Sequence, residues 1–121
     1  LSPEHPDDET FAGLLLARPE GRIFFLNAQS VAEQLNALIA QYQPRVVALD
    51  MSRVPDIEYS ALQMLIEGER QAPARGVEFW LVGLNPGVLE VVRHTELADR
   101  LGRERMLFNA RAAIERYQAQ R

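Results

Sequence analysis

The sequence contains no cysteine, which excludes a disulfide framework, a thiolate zinc site and a cysteine nucleophile. Lysine is absent too, since all 13 basic residues are arginine, and a lysine-closed phosphate loop is thereby excluded. No apolar run approaches the roughly 20 residues of a membrane-crossing helix; the longest, Phe11 to Ala17, has Gly13 inside it. The two histidines, His5 and His94, lie far apart and lack metal-ligand spacing, so neither a metal site nor a cofactor is expected. A basic excess is also lacking. The net charge of −4 offers no footprint for a nucleic-acid backbone.

What is present is enough for one domain. A chain of 121 residues, 47% apolar and 25% charged, can bury a core without a covalent or metal staple. Charge is uneven: residues 1–60 carry nine acids and four arginines, whereas residues 61–121 carry eight acids and nine arginines. The mildly basic C-terminal part reads as a solvated helical face. Residues 1–10, LSPEHPDDET, hold two prolines and four acids and are expected to form an extended tether or edge segment, with the folded domain at 11–121. The first residue is Leu1 rather than Met, without a signal-peptide pattern, so the chain is expected to be a piece of a longer product.

The periodicities predict an alternating α/β order. Phe11–Arg18 and Arg22–Leu26 are short apolar runs around Pro19-Glu20-Gly21 and are expected to form a β-hairpin. Val31, Leu35, Leu38, Ile39 and Tyr42 recur at helical spacing, with Asn27 available as a cap and Pro44 as the stop. Arg45–Met51 reads as a strand buried on both faces. A second helix is expected over Tyr59–Ala72, a strand over Val77–Leu84, and a third helix starting at Asn85-Pro86. His94–Gly102 reads as a loop or single turn, followed by a strand near Met106–Phe108 and a helix over Ala110–Gln118. The expected architecture is ββαβαβαβα: a mixed sheet of about five strands with helices packed mainly on one side.

The segment VVALDMSRVPDIEYSAL, residues 46–62, delivers an acidic, hydroxyl-bearing loop from a buried strand onto a helix start. It resembles the corresponding loop of STAS domains, the family shared by sulfate transporters and anti-sigma-factor antagonists. GLLLARPEGRIFFLNAQSV (13–31), with its Phe25-x-Asn27-Ala28 pattern, FWLVGLNPGVLEVV (79–92) and LADRLGRERMLFNARAAIERY (97–117) are similar to other parts of the family in the same order, and favour the transporter branch. The resemblance implies a regulatory and interaction domain of a bacterial sulfate permease (SulP-type) anion transporter, at the cytoplasmic face of the plasma membrane. It implies as partners the transporter's own transmembrane part and a second STAS domain, with acyl carrier protein or a nucleotide by analogy. The alternative is a stand-alone anti-sigma-factor antagonist switched by serine phosphorylation.

In antagonists the phosphorylated residue is a serine directly after an acid; here Tyr59 follows Glu58, Ser60 matches only the second hydroxyl position, and Ala61 replaces a usual glycine. The expected interaction loop is Asp56, Ile57, Glu58, Tyr59 and Ser60, with Ser60 as the candidate phosphorylation site. Glu58 and Ser60 also suit capping of the helix start. Asp50, ending a buried strand, is expected to hold the loop by hydrogen bonds. Asn85 and Gly87, at the next helix start, are the candidate contacts for an anion or nucleotide. Tyr59 is either an exposed contact anchor or folded back over the sheet. The loop has no histidine or lysine to serve as base, so no catalytic residue is assigned and no enzymatic activity is expected.

Overall fold

The computed structural model describes residues 9–120. Three adjacent strands, β2 (Leu14–Ala17), β3 (Val46–Asp50) and β4 (Glu78–Val82), decide the architecture, because every apolar side chain on them is buried whichever face it takes. Leu15, Ala17, Val47, Leu49, Phe79 and Leu81 belong to one core layer. Leu14, Leu16, Val46, Ala48, Trp80 and Val82 belong to the other. Continuous apolar runs of this kind are what a sheet covered on both faces requires. β1 (Glu9–Phe11) pairs antiparallel with β2, and β3, β4 and β5 (Met106–Leu107) add in parallel, giving the order β1-β2-β3-β4-β5.

The helices are α1 (Phe25–Tyr42), α2 (Tyr59–Gln71), α3 (Pro86–Arg93), α4 (Glu96–Leu101) and α5 (Ala110–Ala119). Right-handed crossovers that always step in one direction across a sheet put their helices on one face. The first core layer accordingly takes Leu35, Leu38 and Ile39 from α1, Leu62 and Ile66 from α2, Val88 and Val92 from α3, and Leu97 and Leu101 from α4. The other face is covered by α5, through Ala113 and Tyr117 with Ala110 and Ile114 beside them. Phe79 therefore faces the four-helix layer, while its neighbour Trp80 meets Tyr117 edge to face, ring centres 6.5 Å apart.

Three expectations change. The hairpin arms are Glu9–Phe11 and Leu14–Ala17, turning at Ala12-Gly13 where Gly13 has φ +90°, not the runs on either side of Pro19-Glu20-Gly21. Glu9 and Thr10 thus belong to the sheet, and the rest of the expected tether, residues 1–8, lies outside the described residues. Second, α1 begins at Phe25, and Asn27 acts from inside the first turn, accepting the Phe24 N–H at 2.8 Å and donating to the Arg22 carbonyl. Third, 96–101 is a short helix, capped by the Thr95 hydroxyl on Leu97 N–H. Its buried Leu97 and Leu101 belong to no longer helical periodicity, which is why the sequence suggests only a loop or single turn there.

Candidate functional site

The loop between β3 and α2 is built on three anchors. Asp50 closes β3 almost fully buried; its Oδ1 accepts the Ser52 N–H at 3.0 Å and its Oδ2 accepts Arg18 Nε at 3.2 Å. A buried carboxylate is tolerable only with such partners. Gly83 lies opposite with φ +68°, and a Cβ there would stand 3.1 Å from Asp50 Oδ1, so both the conformation and the space call for glycine.

The second anchor is apolar. Val54 and Ile57 are buried among the first core layer, and Ile57 forms a parallel bridge with Ile23. Around that bridge the Glu58 N–H donates to the Ile23 carbonyl at 2.9 Å, the Ile23 N–H to Asp56 at 3.2 Å, and the Gly21 N–H to Arg53 at 3.0 Å. Residues 21–23 therefore strap the loop along its length. Arg22 ties the strap to the loop's acids, with Nε 3.0 Å from Asp56 Oδ1 and Nη2 3.9 Å from Glu58 Oε2, while its guanidinium lies 5.1 Å from the centre of the Phe24 ring.

The third anchor comes from Asn85. Its Oδ1 accepts the Val88 N–H at 2.8 Å, capping α3, while its Nδ2 donates to the Val54 and Pro55 carbonyls, each at 3.1 Å. The side chain expected to meet an anion is thus engaged on both its polar ends within the chain. Gly87 lies exposed in the first turn of α3.

On these anchors the loop presents a small set of groups. Ile57 is turned inward, Asp56 and Ser60 are exposed, Glu58 is half-buried and Tyr59 is 64% exposed. Of the two orientations open to Tyr59 in the sequence, the solvent-facing one is adopted. Glu58 occupies the position before α2 but makes no side-chain cap. Its carboxylate instead accepts the Ser60 hydroxyl at 2.7 Å, so capping, expected of Glu58 and Ser60, gives way to a bond between them. The other oxygen of that carboxylate faces Arg22 Nη2, 3.9 Å away.

Chemically, the arrangement offers a phenol, a serine hydroxyl and two carboxylates. His94 sits at the end of α3, where Nε2 is 3.3 Å from Glu90, and takes no part in the loop. Among the described residues no group of three or more His, Asp or Glu side chains is placed to hold a metal ion. No helix there is long and apolar enough to cross a membrane. Sequence reading missed the strap, because Arg22-Ile23 looks like a hairpin arm; the Asp56–Glu58 acids are the only sign that a cation must lie opposite.

A buried strand, a strapped acidic loop and a helix start, set within a five-stranded mixed sheet, make up the site. The STAS domain family model matches residues 5–113, and the chain belongs to that family. Sulfate transporter 3.1 of Arabidopsis thaliana is 28% identical to it over 93% of the chain, which spans only 19% of that protein's length. Among solved structures, the murine solute carrier 26 family member A9 anion transporter, in the inward-facing state, is similar over 92% of the chain and 18% of its own (18% identity, TM-score 0.81). The anti-sigma factor antagonist SpoIIAA, in its unphosphorylated form, is similar over 93% of the chain and 96% of its own (16% identity, TM-score 0.75). At these identities the two structures establish the shared fold, a five-stranded mixed sheet with helices.

Proposed function

We propose that the chain is the regulatory and interaction domain of a SulP-type anion transporter, acting without catalysis at the cytoplasmic face of the plasma membrane. It adjusts transport, assembly or trafficking through protein contacts. The observation that carries this reading is the alignment of 93% of the chain with 19% of a plant sulfate transporter, a small part of a much longer protein. In this reading the acidic residues ahead of β1 lead from the membrane part. Asp56, Glu58, Tyr59 and Ser60 form the contact surface, with Tyr59 as its aromatic anchor.

A second reading is favoured by the likeness to SpoIIAA, which covers 96% of that antagonist: a stand-alone antagonist switched by a phosphate on Ser60. A phosphate there adds nearly two negative charges beside Glu58, whose carboxylate already accepts the Ser60 hydroxyl. Arg22 is the cation positioned against that loop's acids.

The two readings separate on the native polypeptide. An antibody against this domain is used to measure the mass and membrane partition of the protein that carries it. A product several times larger than 13.7 kDa that requires detergent for extraction supports the transporter reading. A soluble product near 13.7 kDa overturns it, and the phosphate content of Ser60 then decides for or against the antagonist.

A further inference from the structure

Between α1 and α2 the first core layer is incompletely filled. A cavity of about 230 Å³ runs between the two helices down to the sheet. It exists because the helix faces that line it carry small residues: Ala28 and Ala32 on α1, Ala61 and Gly68 on α2. Beyond its chain neighbours and the backbone of α2 itself, nothing lies within 4 Å of where a Cβ on Gly68 would be. The floor is Leu49 and Phe79, both buried.

The rim differs in chemistry from the interior. Met64 on α2, 40% exposed, is a flexible side chain able to swing across an opening. Glu67 has a cation beside it, with Oε2 3.6 Å from Arg70 Nη1 and Oε1 accepting Gln71 Nε2 at 3.1 Å. Arg75, exposed in the 3₁₀ turn Ala72–Arg75 that follows α2, has no acid beside it: its Nη1 donates to the neutral Asn36 Oδ1 of α1 at 2.9 Å, and among the described residues no carboxylate pairs with it. An apolar slot therefore ends beneath a guanidinium whose partner is an amide. Arginine binds carboxylates more strongly than amides, in bidentate fashion.

We propose that this interhelical slot is a binding site for a small amphipathic carboxylate, its apolar body between α1 and α2 and its carboxylate on Arg75 in place of the Asn36 amide. A dry apolar cavity of ~150 Å³ holds a benzene ring, so the slot takes a body of about nine heavy atoms by the same ratio. A short alkyl tail or a single substituted ring meets that limit. The slot shares the buried Ile23, Met51 and Ile57 with the strap and the β3–α2 loop but none of the loop's exposed groups, Asp56, Tyr59 and Ser60, and holds whichever reading of the whole protein is correct.

Octanoate, whose tail is within that size, is the probe, with octanol as its uncharged counterpart. Amide shifts of the ¹⁵N-labelled chain are followed during titration. Octanoate is expected to bind saturably at millimolar concentration or below, moving the amides of Ala32, Ala61, Gly68 and Arg75 together. Arg75→Gln is expected to weaken octanoate about tenfold, the loss of one charge-assisted hydrogen bond, and to leave octanol unchanged. Ala32→Leu and Gly68→Leu, which fill the slot, are expected to abolish binding of both while native spectra are retained. If one of these variants unfolds, the other and Arg75→Gln still decide. Absence of saturable shifts at the slot, equal octanoate affinity in Arg75→Gln, or undiminished binding in a folded slot-filling variant overturns the proposal.

Discussion

The Tyr117 hydroxyl sits where a side chain on Gly13 would be. It donates to the carbonyl of Ala12, and a Cβ built on Gly13 would collide with it. The last helix and the first hairpin turn, 104 residues apart, are thus joined by one bond and one missing methyl. Tyr117→Phe is expected to cost about 1 kcal/mol, the net value of a hydrogen bond plus the carbonyl left behind. Gly13→Ala is expected to cost more, about 2 kcal/mol or above, since it adds the left-handed strain of φ +90° to the collision. Because the collision is with the hydroxyl, the double variant is expected to be less destabilised than the sum of the two. Urea denaturation of the four proteins measures that coupling.

Asp50 carries a comparable dependence at the opposite end of the sheet. Replacing it with alanine leaves the Ser52 N–H without its acceptor and removes the carboxylate from Arg18, and is expected to cost about 3 kcal/mol. Asp50→Asn keeps an acceptor for Ser52 and is expected to cost about half as much. Equal losses for the two substitutions, measured by chemical denaturation, would mean that the ion pair alone matters and the turn hydrogen bond does not.

The order of elements is legible because two different periods are written plainly: helical spacing from Val31 to Tyr42, and unbroken apolar runs at Val46–Leu49 and Phe79–Val82. The inward face of α5 is legible for the same reason: of Ala110, Ala113, Ile114 and Tyr117, which the spacing puts inward, Ala113 and Tyr117 are buried and Ala110 and Ile114 pack partly buried beside them. The hairpin is misread because Gly13 and Gly21 are equal turn signals in sequence. Only pairing chooses between them, and in place of a hairpin partner Ile23 has a single parallel bridge to Ile57, 34 positions away. At the site, Asp50 is readable as a loop support from its place at the end of a buried strand. The use of Asn85 to hold the loop is not, since capping of α3 already accounts for it. Glu69 is hidden in the same way. It is buried beneath α4 and bonded to Arg100, with Arg105 3.7 Å away, although an exposed acid is the ordinary reading of its surroundings.

That pairing makes α4 conditional on charge. Glu69→Gln leaves Arg100 and Arg105 facing a neutral group and is expected to cost about 2 kcal/mol, less than a fully buried pair because Arg100 is partly open to water. The loss is expected to be local, with faster amide hydrogen exchange in 96–101 than in α1. Uniformly faster exchange would show instead that α4 is not a separate unit.

Acid has a predictable effect on the neighbouring contact. The hydrogen bond from Arg70 outweighs desolvation and, with that residue's charge, holds the Glu96 carboxyl below its ordinary range. With the folded pKa depressed, the unfolded chain binds more protons over the interval between the two values, so stability from this group rises with pH. It is fully present above the unfolded value of about 4.3 and is lost as pH falls through the folded one. Glu96→Gln is therefore expected to flatten the dependence of Tm on pH just below that value, without changing it near neutrality. An unchanged slope would exclude Glu96 as a contributor to acid sensitivity.

Asn85 connects stability to the proposed contact surface. Its substitution by alanine removes the α3 cap and both donations to the loop carbonyls, and is expected to cost about 1–2 kcal/mol, the upper part of the range for a lost cap. A cap loss alone would speed exchange only in the first turn of α3. Loss of the loop anchor should also speed the Glu58 amide, which is bonded to the Ile23 carbonyl at the far end of the strap. Asn85→Asp is the discriminating variant, because its carboxylate still caps Val88 but cannot donate to Val54 and Pro55. If Asn85→Asp leaves the Glu58 amide as slow as in the native chain, the strap and Ile57 hold the loop without Asn85. If it speeds that amide while the α3 amides stay protected, the Asn85 donor is what keeps Tyr59 and Ser60 in place for a partner.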